Sequence, residues 1–519
     1  MITPGRALAI AMAASAALIL WMGHGVGFSG DEIVFVVSSP HLDLGTVLEP
    51  HGGHLLALTR LLYKPMLDVF GLDYLPFRIL SVLTVLLCVW LLFVWARRRV
   101  DPWLALLPCL VLLFFGADPL HTFQGNGFTV MLSVALGIAA LIAIERDDRR
   151  GDIACCVFLV LGIAAYSVSI PFVFGVALLL AWKRQWRRAW IVVIPLALYA
   201  LWRLTADFSG DSGGLDLTNL LLVPSWSFQA IGEYLAALSG LGYDFTGAAG
   251  VSQDPVGPAL AVAALAALAF GVNRRGVGPT VAAVGLIALV LWAMQAVAAG
   301  DGSGLRLPGD PRYQYPGAFV LLLIAFAVIG PARPSPRTMA ILAVATGAAV
   351  AVNIMVLRDG ADDARATTVT GESIAGALKL AGAVTQPDQA PDLSSSVGAL
   401  AAMAGSPYGD YGYDYEGLRE LPEPKRQDLD QLLSNAGRVR LAPTTAGAGC
   451  RLASDVTVGP GTVVRSPRGG ALSAGLLADT ETVQVGNLEP GRATSVTLPE
   501  VPGHEWTIAV AGGDLEVCG

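Results

Sequence analysis

The chain has 519 residues, of which 54% are hydrophobic and 14% charged, and its mean hydropathy is +0.61. That charge density is about half of what soluble proteins carry, and a net charge of −8 lacks the basic footprint of a nucleic-acid binder. A single water-soluble domain and a disordered chain are both excluded.

A crossing helix needs about 20 mostly apolar residues. Eleven runs qualify in chain order: 7–26, 78–96, 103–117, 127–144, 153–168, 171–182, 189–205, 258–272, 279–298, 316–330 and 338–357. Run 103–117 is short, and 153–182 forms a hairpin of short spans turning at 167–171. The fold class is therefore a polytopic α-helical membrane protein of about 11 transmembrane helices, carrying a C-terminal extracytoplasmic α+β domain. Basic residues orient the bundle. With the N-terminus inside, Arg6 and the turns at 97–99, 145–150, 183–188, 273–275 and 333–337 hold 15 Lys and Arg. The opposite side holds six up to residue 357, and the odd span count leaves the tail outside. No small-residue cleavage site follows the first run, so it reads as an uncleaved helix.

Two outer loops are long, 27–77 and 207–257, and long loops in compact proteins are usually functional. The first opens with Asp31-Glu32 directly after the first span. Carboxylates this close to a bilayer face are solvated, paired or used. A sugar transferase needs one as the base for an acceptor hydroxyl, whereas a loop turn needs only a helix cap, and the sequence supports the two equally. From His54 onward, Leu55, Leu58, Leu61, Leu62, Met66 and Val69 share one helical face, with Arg60, Lys64 and Asp68 on the other. That is the pattern of a helix lying in the interface. A weaker copy surrounds 226–241. His51-Gly52-Gly53-His54 reads as a helix-entry turn rather than a metal site, because two glycines resist the helix that would bring the imidazoles together. Asp118 closes the third span in an Asp-Pro turn. Arg312, Tyr313 and Tyr315 open the tenth span, as interfacial anchors or as a phosphate-holding arginine flanked by rings for lipid or sugar.

Six cysteines divide by place. Cys88, Cys109, Cys155 and Cys156 fall in apolar runs and read as small core residues. Cys450 and Cys518 are the two in the exported tail. A disulfide there closes a 67-residue loop, a gain of roughly 4 kcal/mol on chain-entropy grounds. The chain divides into a membrane domain (1–357), a helical extracytoplasmic region (358–437) and a β-rich extracytoplasmic domain (438–519). The region 358–437 includes helical composition at 362–384, a linker at 385–396 and an amphipathic helix at 425–435. Alternating residues at 456–458, 462–464, 482–485, 494–498 and 506–510 suggest a small β-sandwich. Tyr408, Tyr411, Tyr413 and Tyr415 interleave with Asp410 and Asp414 and read as a flexible polar loop rather than a sugar-binding face.

An outward first loop with Asp-Glu behind the first helix, an interfacial helix, some ten further spans and an exported C-terminal domain resemble the glycosyltransferase-C superfamily. The segments PHGGHLLALTRLLY and RYQYPGAFVLLL also resemble a family of actinobacterial membrane proteins with this layout. The resemblance covers about residues 1–357. It implies an inverting membrane glycosyltransferase in a bacterial cytoplasmic membrane. Such an enzyme uses a polyprenyl-phosphate sugar at the outer face and a cell-envelope glycan or glycoprotein as acceptor. Asp31 matches the first-loop catalytic acid, Glu32 the second letter of the Asp-Glu pair, and Asp118 the further acidic residue of the second outer loop. Arg312 is the first candidate for the donor phosphate, with Arg60 and Arg78 behind it. Tyr313 and Tyr315 are candidate substrate contacts. No nucleotide-binding loop is present, as a lipid-linked donor requires none, and no metal-ligand spacing points to a cofactor, although a divalent metal is compatible with the chemistry. The competing classes are a lipid-linked-glycan transporter and an inactive transferase-like scaffold. A transporter calls for polar groups at mid-membrane, where Gln295 and Asn353 come nearest.

Overall fold

A computed structural model describes residues 2–208, 217–242, 256–299, 307–331, 333–382, 396–436, 439–445, 449–453, 456–458, 462–479, 482–511 and 514–518. The chain forms two compact units. The first comprises Met1–Gly27, His41–Met66 and Asp73–Arg365, and the second Phe28–Pro40, Leu67–Leu72 and Ala366–Gly519.

The first unit is helical. Each of the eleven apolar runs lies largely within a helix, and eight helices are long and apolar enough to cross a membrane: Pro4–Met22, Leu75–Ala96, Gly127–Ile144, Trp186–Thr205, Val256–Arg275, Pro279–Val297, Pro311–Ile329 and Pro336–Ala381. The many apolar helices fit a multi-pass membrane protein. Three expected spans are shorter. Helix Pro102–Leu113 has 12 residues, about 18 Å at 1.5 Å per residue, which falls short of a hydrocarbon core of about 30 Å. Arg149–Ala165 and Ile170–Trp182 have 17 and 13. Side-chain caps set several starts. Asp101 accepts from the Trp103 N–H and Asp148 from the Gly151 N–H. The core runs through the packed faces of Leu75–Ala96, Gly127–Ile144, Arg149–Ala165 and Pro279–Val297, and all four membrane-run cysteines are buried in it.

The segment expected to lie in the interface forms helix Ala57–Phe70, whose expected apolar face is only partly outward, with Leu58, Leu62 and Met66 half-buried. Leu61 and Val69 are exposed, and Thr59, Tyr63 and Leu67 turn inward. One residue departs from the wheel. Arg60, expected on the polar face, is 3% exposed. The segment before it is a hairpin rather than a helix-entry turn. Pro50–His51 pairs with His54–Leu55, and Gly52 and Gly53 take φ of 55° and 79°. Two consecutive positive φ values make the tight turn that a residue with a Cβ resists.

In the second unit, helix Asp31–Ser38 packs against Val397–Ala404. The tyrosine-rich segment is packed internally rather than a free polar loop. Tyr411 is buried and donates its hydroxyl to the Phe28 carbonyl at 2.8 Å, and Tyr415 stacks on His504 with ring centroids 3.5 Å apart. The expected linker at 385–396 lies outside the described residues except for Ser396, which caps Val397–Ala404. Beyond helix Glu423–Ala436, the described residues form antiparallel sheets of four and five strands. In strand Trp506–Val510, Trp506 and Ile508 are buried and Thr507 exposed, the period-two burial of a half-solvated sheet. Cys450 and Cys518 face each other across neighbouring strands and are bonded. Asp430 ties the helix to the strands. Its carboxylate accepts from the backbone N–H groups of Leu476, Leu477 and Ala478 at 3.0–3.1 Å.

Candidate active site

The two adjacent carboxylates separate as soon as they fold. They open helix Asp31–Ser38, where negative charge complements the N-terminal end of the helix dipole. Glu32 is completely buried, with the Ser29 N–H 3.4 Å from its Oε2, whereas Asp31 is exposed. Of the pair, Asp31 is the one that a solvent-borne hydroxyl reaches. Both belong to the second unit; the remaining candidates belong to the first.

Asp118 has no exposure. It caps helix Pro119–Phe123 by accepting from the His121 N–H at 3.1 Å. Its Oδ2 lies 2.6 Å from His121 Nδ1 and accepts from the Tyr315 N–H at 3.2 Å. So the carboxylate joins two helices and fixes an imidazole. His121 escaped the sequence reading. The signal was its i,i+3 spacing from Asp118, which meets only if the Asp-Pro turn continues as a helix. Tyr315 is core: its hydroxyl donates to the Leu112 carbonyl at 2.9 Å and its ring packs against Phe115. Tyr313 is half-buried against the same core.

The three arginines have different surroundings. Arg312 is close to half exposed, and its Nε pairs with Asp310 at 3.1 Å. Buried Arg60 donates one terminal nitrogen to the carbonyls of Thr46 and Glu49, the latter at 2.8 Å, while the other lies 3.4 Å from the Glu49 carboxylate. Burial lowers the Arg60 pKa, and Glu49 partly opposes this. Arg78 is 6% exposed, and among the described residues its Nε and one terminal nitrogen have no hydrogen-bond partner. Its guanidinium carbon lies 5.7 Å from the centre of the Tyr74 ring. Gly23, at the end of the first helix, makes room for it. A Cβ there would lie 2.9 Å from both Arg78 Cδ and a terminal nitrogen.

The walls of this corner are tied down. Ser81, one turn along from Arg78, donates to the carbonyls of Gln124 and Gly125, and Tyr74 Oη accepts from the Gly125 N–H at 2.6 Å. Arg365 reaches the same turn and donates to the Met22 carbonyl at 2.5 Å. Separately, at the start of helix Pro311–Ile329, Gln314 is a fully buried amide whose oxygen and nitrogen are both without hydrogen-bond partners among the described residues. Buried polar groups are nearly always satisfied, so the Arg78 guanidinium is the candidate contact for a polar ligand. Among the described residues, no group of three His, Cys, Asp or Glu side chains is placed to hold a metal ion.

The mid-membrane polar residues are staples. Gln295 accepts from Tyr234 at 3.3 Å, and Asn353 bonds Gly116, Ala237 and Ala349. His54 places Nδ1 2.7 Å from the Ser167 hydroxyl.

Residues 58–205 match the family described as dolichyl-phosphate-mannose-protein mannosyltransferase. That family belongs to the glycosyltransferase-C superfamily, so the resemblance to that superfamily is supported over residues 58–205, a segment that points to a glycosyltransferase and leaves Asp31-Glu32 and residues 206–519 outside the match. Arg60, Arg78, Asp118 and His121 all fall inside the matched segment. No curated protein matches the chain. No solved structure matches it either.

Proposed function

We propose that the protein is an inverting glycosyltransferase that moves a sugar from a polyprenyl-phosphate donor to a cell-envelope glycan or glycoprotein at the outer face of the bacterial cytoplasmic membrane. The observation that carries this reading is the family match, within which Arg78 is a buried cation with two nitrogens lacking a hydrogen-bond partner among the described residues. A phosphate leaving group is already stable as an anion, so its departure needs cations more than it needs acid. Arg78 now stands ahead of Arg312 and Arg60 for that role, because those two engage their own carboxylate or carbonyl neighbours. Asp31 is the base for the acceptor hydroxyl, with Glu32 beside it at the start of the same helix; Asp118 holds the His121 imidazole, and Tyr313 offers a ring for substrate.

In this reading about eleven helices of residues 1–357 cross or enter the bilayer, with the N-terminus cytoplasmic. Region 358–437 and the two sheets of 438–519, read as a small sandwich, lie outside the cell. The 15-to-6 distribution of basic residues supports that orientation. Gln295 and Asn353, the residues nearest to what a transporter would use, are engaged in packing instead.

The test is transfer from a polyprenyl-phosphate sugar in membranes holding matched amounts of protein. Asp31→Asn keeps volume and hydrogen-bonding reach but cannot take a proton, and it should lower transfer by roughly 10²–10⁴-fold. Full activity in that variant would return Asp31 to a helix-end role.

A further inference from the structure

The first unit carries a second feature, at the end of the bundle where helices Leu75–Ala96, Gly127–Ile144 and Ile170–Trp182 finish and Pro279–Val297 begins. A cavity of about 60 Å³ lies among them. Its walls include Trp95, Leu141 and Val284, and its polar lining includes Glu145, Lys183 and Gln185. We propose that this cavity is a binding site for an anionic glycerophospholipid, with the headgroup phosphate on Lys183 and the upper part of an acyl chain against the apolar wall. The inference is independent of the transferase reading.

Charge at the rim favours that occupant. Glu145, the carboxylate in the cavity lining, is paired to both Arg98 and Arg99, and Arg99 also lies over the Trp95 ring at 3.6 Å, so its charge is neutralised. Among the described residues, Lys183 has no ion-pair or side-chain hydrogen-bond partner. Its neighbour Arg184 holds φ 54°, the left-handed position after a helix end that is usually given to glycine. Here the chain keeps another cation in that place at a steric cost. The rim is also held in shape. Arg188 pairs with Asp147 and Asp152, and Gln185 donates to Asp147 at 3.3 Å. Trp182, Trp186 and Trp190 are exposed at the same end, as tryptophans are at the level of lipid headgroups. Apolar walls under an unpaired cation at that level suit an acidic lipid better than a free anion, and basic pockets between membrane helices take such headgroups.

The test titrates the full chain in detergent with phosphatidylglycerol, phosphatidylcholine or inorganic phosphate. Native mass spectrometry counts retained lipid while the melting temperature is followed. Phosphatidylglycerol should be retained at lower concentration than phosphatidylcholine and should raise the melting temperature. Lys183→Glu should weaken its retention by about fivefold or more while leaving phosphatidylcholine unchanged. Thr280→Trp, which fills the cavity from Pro279–Val297 without altering charge, should abolish the preference in a protein that still melts cooperatively. Equal retention of the two lipids, or an unchanged preference in both variants, overturns the site. Stabilisation by inorganic phosphate equal to that by phosphatidylglycerol overturns the lipid and leaves an anion site.

Discussion

The loop around Arg60 and the corner around Arg78 lie 18 positions apart, inside the same matched segment, and each buries a guanidinium. In the loop, the arginine organises the protein, since two carbonyls and a carboxylate gather round it. In the corner, the protein organises the arginine. Gly23 withdraws its side chain, Tyr74 offers a ring face, Ser81 anchors the neighbouring turn, and two nitrogens are left with no acceptor. Arginine cannot shed its charge by losing a proton, so a buried one without enough acceptors is a standing demand for an anion. Burial alone does not separate a structural arginine from a binding one; the inventory of acceptors does.

The comparison breaks most decisively at Arg78. Arg78→Ala should lower transfer by about 10²–10³-fold, the usual loss for one preorganised donor, and should weaken donor binding as well, because a phosphate is held before and during the reaction. Its melting temperature should change little, since no internal hydrogen bond is lost. Arg78→Lys should recover only part of the activity, a point charge replacing a fork. Transfer rates at several donor concentrations read both effects, and wild-type kinetics in Arg78→Ala would make the corner a packing accident.

Arg60→Ala should do the reverse. Losing charge-assisted bonds to Thr46 and Glu49 should cost about 1–3 kcal/mol of stability, while transfer per folded molecule stays within a few-fold of wild type. Thermal unfolding beside activity at matched abundance separates the two arginines. A large activity loss with unchanged stability would move Arg60 into the site.

The smallest effect sharpens the contrast through a group that can discharge itself. Glu233, on helix Val223–Ser239, has a buried Oε2 without a partner among the described residues, and burial raises its pKa from 4.5 to about 7. Where Arg78 stays charged, Glu233 takes up a proton. Because its folded pKa lies above the unfolded one, its stabilising contribution is complete below about 4.5 and is lost as pH rises through about 7. Melting temperature should therefore decline across that window, and Glu233→Gln should flatten the decline. A slope unchanged in the variant would assign it to other groups.

The bundle was legible in the sequence because apolar runs announce helices wherever they fall. The split between Asp31 and Glu32 was not, since adjacent residues share a sequence context but face different ways on a helix. The wheel placed Arg60 on the polar side, a sound reading of one helix in isolation; the carbonyls that draw it inward come from residues 46 and 49, which no periodicity of 57–70 reports. Strand Gly470–Gly475 went unread because Gly-Ala-Leu-Ser-Ala-Gly holds no β-branched residue, and its pairing partners supply the order instead. His121 and Gln314 became visible only when Asp118 and the end of Pro311–Ile329 came together.

Gly23 makes this corner vulnerable at a position that carries no charge. A Cβ there would lie 2.9 Å from the arginine's own stem and 3.1 Å from the Ile19 carbonyl, so even alanine obliges the guanidinium at 78 to shift from its place. The harm from an uncharged, chemically mild replacement at 23 would then resemble, in part, that of deleting a cation it never carried.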